Sequence, residues 1–143
     1  MKQIINMLYK ENVKAFKNND VPVGVVIEKN NKIIAKAFNK KESKNISTKH
    51  AEIIAIEKAC RKLKRWRLDD CVLYTSMEPC VMCIGDIAQS RIKKVYYILD
   101  NEKFGFSKII KGNKIGNHSV ELIKLETDDR FKEIIKKFFE YKR

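Results

Sequence analysis

Two short stretches constrain this chain more than anything else in it. "STKHAE" at residues 47–52 places His50 two positions before Glu52, and "MEPCVMC" at 77–83 places Cys80 three positions before Cys83. Ile53, Ile54, Ile56, Ala59, Cys60 and Leu63 form a broad apolar face that predicts a helix from His50 to about Lys64, with Thr48 as its N-cap. Pro79 opens a second helix, since proline is tolerated in a first turn. Both motifs therefore sit at helix starts. If they act together, the fold must bring two helix N-termini to one place.

Cys80 and Cys83, three apart on a helix, share a face. Unpaired N–H groups and the positive dipole end of a first turn lower a thiol's pKa, and the thiolate is the form that binds zinc. His50 offers a third, imidazole ligand. Three protein ligands leave a tetrahedral zinc one position for water, which is the catalytic pattern. Residues two apart in a regular helix point to nearly opposite sides, so His50 and Glu52 share a target only if His50 lies where the chain enters the helix. There Glu52 can take a proton from activated water and pass it to a leaving group. A lone CxxC would also fit a redox pair or half of a structural zinc site. Neither needs His50 with Glu52. The spare donors read as packing or loop residues: Cys60 on an apolar helix face, Cys71 at the start of a buried strand, His118 beside Asn117.

The rest of the chain supplies the scaffold. Residues 3–18 fit a first helix, and "VPVGVVIEKNNKIIAKAFN" reads as a hairpin turning at Asn30-Asn31. "CVLYTS", "KKVYYIL" and "SVELIKL" are strand candidates, and residues 128–141 a closing amphipathic helix. The stretch 101–117 reads as a loop with one short helical piece. Strands alternating with helices predict an α/β fold, a sheet covered on both faces.

At 143 residues the chain is expected to be one domain, 1–143, large enough for a core of its own. No apolar run reaches the roughly 18 residues of a membrane span, and no signal peptide is expected. CxxC without an export signal favours a reducing compartment, so a cytoplasmic protein is expected. The net charge of +13 suits a polyanionic partner, although a lysine-favouring composition would produce it too. Its densest cluster is "RKLKRWR" at 61–67, around Trp66.

H-x-E followed by P-C-x-x-C is the signature of zinc-dependent nucleobase deaminases. Beyond that signature, "DVPVGVVIEKNNKIIAKAFN", "KHAEIIAIEKAC", "WRLDD", "EPCVMCIGDIAQSRIKKVYY", "GNHSVE" and the final helix resemble the bacterial tRNA adenosine deaminases. The resemblance implies a three-layer α/β/α cytidine-deaminase-like fold with a five-stranded mixed sheet. It implies one Zn2+ per chain on His50, Cys80 and Cys83, and Glu52 as catalytic proton shuttle. It also implies Asn39 hydrogen-bonding a flipped base, with Val23, Gly24 and the backbone around Ala51 lining the pocket. The implied activity is hydrolysis of adenosine to inosine, by water activated on zinc, at the wobble position of a tRNA anticodon stem-loop. The implied assembly is a homodimer.

Several residues depart from that family. Asn101 stands where an aspartate is usual, and Phe104 and Phe106 replace small residues. Asn101 is therefore a candidate substrate contact, and so are Phe104 and Phe106, which could equally be packing residues of a rebuilt loop. Asp86 replaces an alanine, and its spacing from Cys83 turns it toward the site or a dimer contact. An alternative is a guanine or cytosine deaminase, because "KACRKLKRWRLDDCVLYTS" resembles guanine deaminases nearly as well; a small neutral base gains nothing from +13. A non-catalytic zinc RNA-binding subunit would have no need of Glu52.

Overall fold

The computed structural model describes residues 1–108, 112 and 114–142. In chain order the elements are α1 (Lys2–Lys17), β1 (Gly24–Lys29), β2 (Lys32–Phe38), α2 (Lys41–Lys44), α3 (Ala51–Leu63) and β3 (Cys71–Met77). There follow α4 (Val81–Gln89), β4 (Lys94–Leu99), β5 (Lys114–Ile115), β6 (His118–Ser119), β7 (Glu121–Lys124) and α5 (Asp129–Tyr141). Five strands form one sheet in the order β2-β1-β3-β4-β7. The β2/β1 and β1/β3 pairs are antiparallel, and β3/β4 and β4/β7 are parallel, so the sheet is mixed as expected.

Alternation along the strands sorts side chains to two faces. Val25 and Ile27 of β1, Leu73 of β3 and Val95 of β4 pack with Ile54 and Ala55 of α3 and Ile84 and Ile87 of α4. Val26, Tyr74 and Ile98 point the other way, onto Leu8 of α1 and Phe131 of α5. The result is three layers. Phe131 and Leu8 are fully buried, and burial of each such side chain contributes about 1.5–3 kcal/mol. The β1–β2 turn uses Asn30 and Asn31 at φ 51° and 63°, the left-handed pair that a tight hairpin requires.

Four local expectations need correction. The N-cap of α3 is His50, with extended backbone (φ −74°, ψ 152°), not Thr48. Thr48 lies in the preceding turn, where its carbonyl accepts from the His50 N–H at 2.8 Å. Pro79 stays outside α4, whose N-cap is Cys80, also extended (φ −76°, ψ 175°). The last strand is only Glu121–Lys124, because His118–Ser119 pairs with Lys114–Ile115 in a small hairpin. Short α2 has no apolar periodicity to announce it. The buried Asp20 carboxylate accepts from the Glu42 and Ser43 N–H groups at 2.6 and 3.2 Å, satisfying its first turn. No described helix is long and apolar enough to cross a membrane.

Candidate metal centre and active site

The extended cap conformation does what the sequence spacing required. It turns His50 off the barrel of α3, so that imidazole and Glu52 face one point, and it holds Cys80 at the entry of α4. His50 Nδ1 lies 3.7 Å from Cys80 Sγ and 3.5 Å from Cys83 Sγ. All three ligand atoms fall within 4.8 Å of one another. Tetrahedral zinc with bonds of about 2.3 Å to sulfur and 2.0–2.1 Å to nitrogen separates those donors by about 3.6 Å. The trio fits zinc without rearrangement.

Charge points the same way. The Cys83 thiol, through its hydrogen bond to Cys80, lowers Cys80 to about 4; burial opposes this and His50 assists it. Cys83 is raised correspondingly, first by that shared hydrogen bond, then by burial and by the Glu52 charge. His50 is raised, chiefly by its bond to Cys80. Glu52 is fully buried in the first turn of α3, within reach of the Cys83 thiol, and burial pushes it up to about 7. Two thiols, a carboxyl and an imidazole thus face one point, donor types that suit a divalent cation.

The other candidate residues divide. Asn39, 8% exposed at the end of β2, donates to the Val21 carbonyl at 3.2 Å and accepts from the Lys41 N–H at 3.2 Å. One amide hydrogen and one oxygen lone pair remain to it. Gly24 is a close-approach position: a Cβ there would lie 2.7–2.8 Å from Glu11, Asn12 and the Leu8 carbonyl, so α1 packs directly on it. Its N–H donates to Ser76 Oγ at 3.0 Å. Val23 is half-buried against the α3/α4 core, and Ala51 is fully buried in it. Asn101 organises a turn, its side-chain oxygen accepting from the Phe104 N–H at 3.1 Å.

The two aromatic departures part company. Phe106 is 4% exposed and belongs to the α3/α4 core, whereas Phe104 is 66% exposed at the tip of the turn. Asp86 is half-buried, raised by burial and by Glu57, and its charge acts on Cys60. It therefore sits against the second half of α3, away from the ligand trio at that helix's start. His118 Nε2 bonds the Ile92 carbonyl at 2.8 Å, and Cys60 Sγ the Trp66 carbonyl at 3.7 Å; neither joins the trio. In the basic cluster, Arg65 grips both Asp70 oxygens at 2.8 and 2.9 Å and Arg67 stacks over exposed Trp66 at 5.6 Å. Sequence reasoning passed over Glu78, a buried acid two residues before Cys80. An acid beside a proline at the end of an apolar strand was the available signal.

A mixed five-stranded sheet between helix layers, with a His-Cys-Cys trio at two helix starts, defines a deaminase of the cytidine-deaminase-like fold. The chain belongs to the MafB19-like deaminase family, whose model matches residues 1–143. It is 47% identical over 93 residues to a tRNA-specific adenosine deaminase of Rickettsia bellii, a match covering 64% of each chain. It is 49% identical over 80 residues to a guanine deaminase of Bacillus subtilis, covering 56% of this chain and 51% of that one. Neither match reaches two thirds of the relative's length. A solved structure from a study of tRNA:A34 deaminases and A-to-I editing superposes with a TM-score of 0.80 at 28% identity, over 87% of this chain and 98% of that one.

Proposed function

We propose that this chain deaminates adenosine to inosine at the wobble position of a tRNA anticodon loop, consuming one water and releasing ammonia. The observation that carries this reading is the His50-Cys80-Cys83 trio with buried Glu52 against it. Similarity to tRNA-specific adenosine deaminases supports the substrate. His50 Nδ1 and the sulfurs of Cys80 and Cys83 would hold one zinc ion per chain, which would supply a Lewis acid to activate water. Glu52, raised toward neutrality by burial, would take one proton from the attacking water to N1 of the base, then carry the second proton of that added water to the departing amine, which leaves as ammonia. Asn39 holds the base with its unused amide hydrogen and lone pair. Val23, Gly24 and Ala51 line the pocket, while Asn101 shapes the turn from which Phe104 stacks on an unpaired base. The 143 residues act as one domain, in a homodimer, in the cytoplasm, where the +13 charge draws the RNA.

The similarity to guanine deaminase favours a second reading, with the same residues acting on a free base. The deciding experiment incubates zinc-loaded protein with an adenosine-34 tRNA and sequences the product, with guanine and cytidine assayed alongside for ammonia. A-to-G reads at the wobble position support the tRNA reading. Ammonia from guanine without inosine overturns it and leaves the second.

A further inference from the structure

Glu78 is 3% exposed and lies in the connection between β3 and Cys80. No ion pair among the described residues involves it. A buried carboxylate without a cation must be compensated by hydrogen-bond donors. Here they come from one place, the segment 101–107. The Asn101 N–H donates to Oε1 at 3.3 Å, and the Ser107 N–H and hydroxyl donate to Oε2 at 3.1 and 2.5 Å.

Backbone contacts tighten the same junction. The Glu78 N–H donates to the Leu99 carbonyl at 2.8 Å and the Phe106 N–H to the Pro79 carbonyl at 3.0 Å. Cys80 and Gly105 form an isolated antiparallel bridge. At Gly105 a Cβ would lie 2.5 Å from Glu78 Oε1 and 2.5 Å from the Asn101 carbonyl, so the segment closes on the carboxylate with no room for a side chain. One acid thus holds both ends of a turn whose tip presents Phe104, and its own backbone runs directly into the Pro79-Cys80 ligand turn.

We propose that Glu78 is a positioning residue that fixes the 101–107 turn relative to the cysteine ligands, and so sets the site's affinity for its substrate without taking part in the chemistry. The substrate named in the test rests on the wobble-adenosine reading. Charge-assisted bonds from two backbone N–H groups and a hydroxyl give the brace its strength, and its geometry needs no cation that a polyanionic substrate could pull away.

The test compares zinc-loaded wild type with Glu78→Ala, Glu78→Gln, Ser107→Ala and Gly105→Ala on an anticodon hairpin carrying adenosine at the wobble position. Glu78→Ala is expected to raise KM by about tenfold, roughly the loss of one charge-assisted hydrogen bond, with kcat little changed and zinc still bound. Gly105→Ala, which displaces the turn sterically, should reproduce that split. Glu78→Gln keeps one acceptor oxygen for the Ser107 N–H and hydroxyl and loses only the acceptor for the Asn101 N–H, so it should recover part of the affinity. Ser107→Ala should show a smaller rise, with faster amide exchange in 101–107 but not in β3.

A fall in kcat at unchanged KM, or zinc lost in parallel with activity, overturns the proposal. If Glu78→Ala does not fold, the Ser107 and Gly105 variants carry the same test. If wild type ignores the hairpin but deaminates guanine, the wobble reading fails. The brace is then judged by the same KM-against-kcat split on guanine.

Discussion

His50, Cys80 and Cys83 stand at the starts of two helices packed on buried strands, whereas Asn101 and Phe104 stand on a turn held by one carboxylate and one buried aromatic. The first region draws its rigidity from the core it shares with β1, β3 and β4. The second is attached through Glu78, Ser107 and Phe106, few enough to change one at a time. On the proposed reading, chemistry is built into the scaffold, while recognition is fastened on to it.

The sharpest way to break the comparison is at Glu52. Glu52→Ala should lower kcat by about 10²–10⁴-fold while zinc content stays at one per chain by metal analysis. An active, zinc-loaded variant would remove the proton shuttle from the rigid region. Next in size is Phe106→Ala, expected to cost about 3 kcal/mol in urea unfolding of the zinc-saturated protein, because it empties a core position. A loss below about 1 kcal/mol would show the turn floating on the core instead of rooted in it.

Phe104→Ala should leave unfolding free energy within about 0.5 kcal/mol of wild type yet raise KM for the hairpin by about fivefold, since one stacking contact is worth about 1–3 kcal/mol. Equal KM values would make Phe104 a bystander. The smallest effect belongs to Asp86. Burial, reinforced by Glu57, holds its carboxyl above the ordinary range, so ionisation costs the folded chain stability as pH rises through that range. Asp86→Asn should therefore raise Tm at pH 7, and the gain should vanish below about pH 3.9. A gain independent of pH would mean that charge is not its cause.

The same division governs what the sequence made legible. Periodicity located α3 and α5, Asn30-Asn31 located the hairpin, and the trio with Glu52 was readable because few other residue types do that chemistry. The cap at His50 was misplaced because Thr48 is the better cap former, and propensity says nothing about a ligand needing the extended position. α2 and the β5–β6 hairpin escaped notice because tertiary partners such as Asp20 hold them, not local pattern. Phe104 and Phe106 look alike in sequence; only the closure of the turn on Glu78 sends one inward and the other out.

His50 and Cys80, the candidate ligands at the starts of α3 and α4, leave both helices without a side-chain cap, although α5 has one in Asp128, which accepts from the Arg130 N–H at 3.0 Å. Serine or aspartate at those two positions would stabilise each helix by about 1 kcal/mol and end the metal site. The chain has kept the weaker helix starts. If the trio holds zinc as proposed, both helices would fray from the same point in a zinc-starved cell, and metal supply would govern the lifetime of the protein against proteolysis as well as its turnover.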